Sequence, residues 1–254
     1  MMPEIPPGVH RPRVAPPRGP WLGLVPALLV PALLVGGCSS RSASKPSFTL
    51  PAAVSSGTPT TEPAAVVVPD DSGVPGVVAY DTKGWPASSG APDAGSLPHT
   101  HLPGPIVYSV TPPAGGDHNP VWMNCGVYPS PVPPERAVHN LEHGAIWITY
   151  RPDLPAADVS ALRSLVAAQK DVVITIQGQS IDTKQRYIDL TPFPGLPAPI
   201  VLSAWAHQLS VQTTTDGRLQ RFIDAFRVNP KYTPEYGASC DDQPPATGGR
   251  PLSS

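Results

Sequence analysis

Residues 133–150 read PPERAVHNLEHGAIWITY. The stretch joins a helix signal to a strand signal through one glycine. Pro133 and Pro134 suit a helix start, where a missing N–H costs nothing, and Glu135 suits the positive end of the helix dipole. Gly144 suits a stop. The run 145–150, AIWITY, has the length and residue types of a buried strand. A helix of about ten residues is marginal alone. It must therefore pack on the domain that holds this strand.

The neighbouring segments extend the pattern. AADVSALRSLVAAQK (156–170) is expected to be a helix with Leu162, Leu165 and Val166 on one side. DVVITIQ (171–177) and APIVLSAW (198–205) read as strands. GRLQRFIDAFRVN (217–229) reads as an amphipathic helix with Leu219, Phe222, Ile223 and Phe226 at core spacing. From Ala145 the order is β-α-β-β-α. PIVYSV (105–110) adds an earlier strand, TPPAGGDHNP (111–120) a turn-rich loop, and VVAYDTKGW (77–85) a short strand at the domain edge. The expected fold class is α+β: a small, mostly antiparallel sheet with helices packed on one face, after a disordered N-terminal tether.

Composition sets the domain plan. The 38 prolines and 22 glycines of this 254-residue chain are unevenly spread. Residues 38–96 are rich in Ser, Thr, Pro and Ala without a lasting period, and read as a flexible tether. The globular domain is expected over 97–240, with a disordered tail at 241–254. A formal charge of −2 and no basic tract exclude an electrostatic nucleic-acid footprint. No glycine-rich phosphate loop follows a strand, and no G-x-S-x-G elbow is present.

Residues 1–37 have the character of an export signal. Arg11, Arg13 and Arg18 precede the apolar run 21–35, which is short for a membrane span and interrupted by Pro26 and Pro31. It ends in LVGGC, a lipobox-like sequence in which Cys38 would take a diacylglycerol and become the new N-terminus. A plain secretory signal is the simpler alternative. Residues 1–37 carry three arginines and Glu4, so the chain without them has net charge −4 by the same counting. Acyl chains at Cys38, rather than basic residues, would then hold it on the outer face of the cell membrane. If Cys38 is lipidated, Cys125 and Cys240 remain as a pair, and a disulfide is their natural state in an oxidising compartment. Such a bond would close a loop of more than a hundred residues, for which loop entropy gives roughly 4–5 kcal/mol. Free thiols or metal ligands are the alternatives.

Within 133–150 the letters H-x-x-E-H place His139 and His143 four apart, with Glu142 beside the second. At i and i+4 two imidazoles share a helix face and can reach one ion. His118, at the end of the glycine-rich loop, is the expected third ligand and His101 the available fourth. Zinc or copper suits such a set. Rotation at about 100° per residue puts Ala137, Val138 and Leu141 on one side and the His/Glu face on the other. That face is a solvated surface unless the loop 111–120 covers it. An inverted zinc-peptidase reading makes Glu142 the general base and needs a distant carboxylate such as Glu235. The early Gly144 stop weakens it, and binding is expected rather than turnover. A metal-free interaction module is the third reading. His207, Met123, Trp122, Trp147 and Trp205 are most simply structural.

PPAGGDHNPVWMNCGVY, AVHNLEHGAIWITY, APIVLSAW and TPEYGASC together resemble the domain of unknown function 3105 family. The likeness covers about residues 97–240. It falls on His101, Gly116, His118, Trp122, Cys125, Gly126, Tyr128, His139, Glu142, His143, Gly144, Trp147, Pro234, Glu235 and Cys240. It implies one domain of an exported or membrane-anchored envelope protein and draws attention to the histidine face. It implies no particular substrate or metal.

Overall fold

A computed structural model describes residues 58–81, 98–241 and 243. The export-signal and lipidation readings, residues 1–37 and Cys38, lie outside the described residues, as does the tail from 244 onward. Among the described residues no helix is long and apolar enough to cross a membrane.

The fold is α+β. The order is β1 (Thr60–Thr61), β2 (Val67–Val68), β3 (Val77–Tyr80), β4 (Ile106–Val107), α1 (Pro134–Glu142), β5 (Ile146–Tyr150), α2 (Ala156–Ala167), β6 (Val173–Ile176), β7 (Gln179–Asp182), β8 (Ile188–Pro192), β9 (Ile200–Ala204), β10 (His207–Val211) and α3 (Arg218–Phe226). Six strands form the main sheet in the order β2-β3-β10-β9-β5-β8. All neighbours in it are antiparallel except β5 and β8, which pair Ile146 with Ile188 in parallel. That parallel step needs a long crossover, and α2 with the β6–β7 hairpin supplies it. The hairpin turns at Gln177 and Gly178, both with positive φ as a two-residue turn demands.

The two faces of the sheet carry different cores. Alternation along β5 sends Ile146, Ile148 and Tyr150 to one face, where Leu162 and Val166 of α2 and Leu219, Phe222, Ile223 and Phe226 of α3 cover them. Trp147 and Val201 point to the other face and pack with Ala137, Val138 and Leu141 of α1. So α2 and α3 share a face, while α1 lies on the opposite one with the loops around it. The α1 face is the more polar. Asp189, Thr191, Thr149 and Ser203 are all fully buried there. Trp147 Nε1 donates to Thr191 Oγ1 at 2.9 Å and Thr149 Oγ1 to the Val201 carbonyl at 2.9 Å, so this polarity is satisfied locally.

The N-terminal boundary differs from the expected one. Residues 58–76 were expected to be tether, yet they supply β1 and β2, while the short strand expected within 77–85 forms as β3. β3 sits inside the main sheet between β2 and β10, and β1 pairs with β4 in parallel. Strands β1 and β2 are two residues long each and set among prolines, which hides them from any periodicity test. At the other end, Gln243 N donates to Asn124 Oδ1 at 2.9 Å, so the chain is still held three residues past Cys240.

Cys125 and Cys240 are joined in a disulfide with Cα atoms 5.4 Å apart. The Cys125 N–H also donates to the Cys240 carbonyl at 2.7 Å. The bond fastens residues 235–241 against the end of α1.

Candidate metal centre

Three chain segments meet over the polar side of α1. The helix begins at Pro134 and ends in His143, and Gly144 takes φ +92°, a conformation that favours glycine. A Cβ there would lie 2.7 Å from Thr233 Oγ1, so Gly144 also lets the C-terminal segment approach. The loop 111–118 covers the helix from one side. His118 pairs with the segment before β4 through its N–H to the Thr100 carbonyl (3.0 Å) and the Leu102 N–H to its own carbonyl (2.7 Å). This bridge brings His101 beside His118. The C-terminal segment supplies Glu235, whose N–H donates to the Glu142 carbonyl at 3.0 Å.

The histidine face is therefore covered, not solvated. His118, His139, Glu142 and His143 are all buried. His101 and Glu235 stand at its two ends with side chains 45% and 48% exposed. The rings form a continuous set: His101, His118 and His139 have centroids 4.7–4.9 Å apart, and His139 lies 4.6 Å from His143. Trp122 packs against both His139 and His143.

Hydrogen bonds dictate which ring nitrogens are free. His118 Nδ1 donates to the Gly116 carbonyl at 2.8 Å, His139 Nδ1 to the Asn119 carbonyl at 2.6 Å, and His143 Nδ1 to the Ser239 carbonyl at 2.6 Å. A carbonyl only accepts, so each Nδ1 carries a proton, and whenever the ring is neutral its Nε2 is the available lone pair. This is the arrangement that orients imidazoles for a metal. The Nε2 atoms then face carboxylates: His118 Nε2 lies 2.8 Å from Glu142 Oε2, His101 Nε2 3.4 Å from the same oxygen, and His143 Nε2 3.3 Å from Glu235 Oε2. A neutral imidazole lone pair and a carboxylate oxygen repel at such distances. Either a proton or a cation must lie between them.

The electrostatics keep the ligands ready. Burial pushes His139 down to about 3, against the smaller opposing pull of the Asn119 carbonyl, so its ring is neutral across the physiological range. Burial also holds His143 below the ordinary value, partly offset by Ser239 and Glu235. For Glu142, burial opposes ionisation, but the His118 hydrogen bond and the surrounding imidazoles outweigh it and keep the carboxyl below its usual range. A neutral His139 beside an ionised Glu142 matches the protonation states a divalent ion requires of those two groups.

Two ligand groups result. His101, His118, His139 and Glu142 offer atoms within 4.8 Å of one another, and so do His139, His143 and Glu235. Ligands of a tetrahedral ion with bonds of about 2.0–2.1 Å sit about 3.3 Å apart, so closing on an ion needs movements of about an ångström. His118, His139, His143 and His101 are all brought to the site, but His118 and His143 fall in different groups. His139 belongs to both and has one free nitrogen, so an ion in one group denies it to the other. Sequence reasoning gave Glu142 only the role of a base. The structure places its carboxylate among the ligand atoms, and it places Glu235 beside His143.

Another residue escaped the sequence reading. Glu62 Oε1 accepts the Asp117 N–H at 2.8 Å and so braces the loop that presents Gly116 and His118. Burial raises its carboxyl to about 7. A Cβ on Gly116 would stand 1.9 Å from that oxygen, so the glycine is what admits Glu62. Met123 is buried in the apolar cluster under α1, and His207 stacks with Phe226 and Tyr232, both structural.

A family model described as protein of unknown function (DUF3105) matches residues 99–242. No curated protein and no solved structure matches the chain.

Proposed function

The chain belongs to the protein of unknown function (DUF3105) family, and from that premise we propose that it is a divalent-metal-binding protein of the cell envelope. The ligands are His101, His118, His139 and Glu142, and the ion is zinc or copper, which suit three imidazoles and one carboxylate. One observation carries the reading: His118 Nε2 faces Glu142 Oε2 at 2.8 Å while its Nδ1 proton is committed to the Gly116 carbonyl. Bound there, the ion would take the place of the proton that otherwise lies between these two atoms. Its role is binding, in an envelope-maintenance capacity, at the membrane's outer face. The sequence of residues 21–38 supports export and a lipid anchor at Cys38, and the Cys125–Cys240 disulfide suits an oxidising compartment. Metal analysis of chain purified without a histidine tag tests the binding: about one ion per chain is expected, and folded chain that takes up neither zinc nor copper refutes it. Metabolic labelling with a fatty acid tests the anchor, which Cys38→Ser should abolish.

A zinc-dependent hydrolase is the second reading, favoured by Glu235 Oε2 lying 3.3 Å from His143 Nε2. In it His139, His143 and Glu235 hold the ion and Glu142 is the base. Against it, Glu142 is engaged by His118 and His101 and its side chain is only 5% exposed. The readings separate in Glu142→Gln. Loss of affinity identifies a ligand, whereas retained affinity with lost hydrolysis of ester or peptide substrates identifies a base.

A further inference from the structure

Asp189 lies in the middle of β8 on the α1 face and is fully buried. Its Oδ1 accepts the Gly126 N–H at 3.1 Å and its Oδ2 accepts Asn140 Nδ2 at 2.7 Å. Neither partner is charged. An ionised carboxylate here is a buried charge without a counter-ion, which is costly. The third neighbour gives the carboxyl a use: Asp189 Oδ2 is 3.8 Å from Cys125 Sγ, and Asn140 Nδ2 is 3.6 Å from the same sulfur. In the disulfide that sulfur has no proton to give. As a thiol it would donate to Asp189, and as a thiolate it would accept from Asn140.

The two cysteines are unequal. Cys240 is fully buried, while Cys125 is half-buried and so is the more exposed of the two to an incoming thiolate. We propose that Cys125–Cys240 is an exchangeable disulfide, that Asp189 is the acid–base catalyst at Cys125, and that the domain exchanges electrons with dithiol or disulfide partners. In the reductive direction, a thiolate of an external dithiol attacks Cys125 Sγ. A mixed disulfide forms, the Cys125–Cys240 bond breaks, and its electron pair leaves with Cys240 as thiolate. The second thiol of the reductant, deprotonated by solvent, attacks its own sulfur in the mixed disulfide. The reductant departs as a disulfide and Cys125 is released as thiolate. Asp189 gives it a proton and becomes carboxylate, while Cys240 takes one from solvent; once solvent reprotonates Asp189, two electrons and two protons have entered the domain. Run backwards, Asp189 deprotonates Cys125 for attack on a disulfide.

The surroundings tune the carboxyl to this task. Burial pushes Asp189 up to about 7, with Asp241 adding to the rise and Asn140 and Gly126 opposing it. Tyr128 also faces it, and burial with the Asp189 charge raises that phenol far beyond neutrality, so it stays protonated. Asp189 is thus the group in this cluster that changes charge near neutral pH.

The test uses the full chain with reduced and oxidised glutathione and dithiothreitol as probes from pH 5.5 to 8.5, following the bond by alkylation and mass spectrometry. The native chain is expected to exchange while folded. Its rate, corrected for probe thiolate, should bend near pH 7, and Asp189→Asn should react at least tenfold more slowly without the bend. A folded chain whose disulfide resists millimolar probe overturns the proposal, as does Asp189→Asn with an unchanged rate and profile. Should that variant not fold, Cys240→Ser leaves Cys125 as a thiol. Two coupled steps in its alkylation profile, one near pH 7, support the proposal, and a single ordinary thiol titration overturns it.

Discussion

His139 shows how one residue serves two ends. Its Nδ1 proton is spent on Asn119, its ring is buried among three other imidazoles, and its Nε2 is the atom both ligand groups need. Burial, only partly offset by the Asn119 carbonyl and the Glu142 charge, lowers its pKa to about 3, whereas in the unfolded chain it titrates near the usual 6.5. Between those values the unfolded state binds the extra proton. This contribution to stability is therefore intact above about pH 6.5 and is lost as pH falls below it. Asp189 and Glu62, both raised to about 7, act the other way, favouring the fold as pH falls toward the ordinary carboxylate range. Comparison with a variant separates the trends. Denaturation of metal-free chain at pH 7 and pH 5 should show the native sequence losing more stability on acidification than His139→Gln. Equal losses would mean that His139 is not a neutral buried base.

The elements around α1 depend on close approach. Gly144 combines φ +92° with a Cβ position 2.8 Å from Thr233 Cγ2 and 3.0 Å from Val228 Cα. Gly144→Ala is both strained and overpacked, and a loss of about 2 kcal/mol or more is expected in equilibrium denaturation. A loss within about 0.5 kcal/mol, the range of ordinary surface changes, would show that the α1 terminus relaxes freely. The helices were the legible elements. Helix α1 carries its proline start and glycine stop, and α3 its apolar stripe, and both form within a few residues of the expected bounds. Strands β5 and β9 were legible as apolar runs. Strand β8 was not, because Asp189 and Thr191 turn buried polar groups toward α1 and break the apolar pattern. Strand β10 was missed because the hairpin before it turns at Trp205 and Ala206. Ala206 takes φ +61° without the glycine or asparagine that announces such a turn. The site was half legible. The i, i+4 histidines and the His118 loop were readable, but Glu62 and Glu235 arrive from distant segments that no local spacing connects.

For the whole molecule, the fold reaches back to residue 58. β3 pairs with β10 through Val77, Val78 and Ala79, and Glu62 braces the loop that carries His118. A chain starting at residue 98 would keep all of the family match yet leave the β10 edge unpaired and Gly116 without its brace. It is expected to aggregate or to melt well below a chain starting at residue 58, in thermal scans of the two. Equal melting would make 58–81 dispensable. The same reach explains why the candidate metal centre is buried: α1 gives two histidines and Glu142, the N-terminal half covers them with His101 and His118, and the disulfide holds Glu235 and Ser239 over His143. On the proposed function, this cover makes a cation site. Calorimetric titration of metal-free chain with zinc and with copper tests it directly. One tight ion per chain is expected, with affinity reduced about a hundredfold or more in His118→Ala and in His139→Ala. Binding that is absent in the folded native chain, or unchanged in both variants, would contradict it.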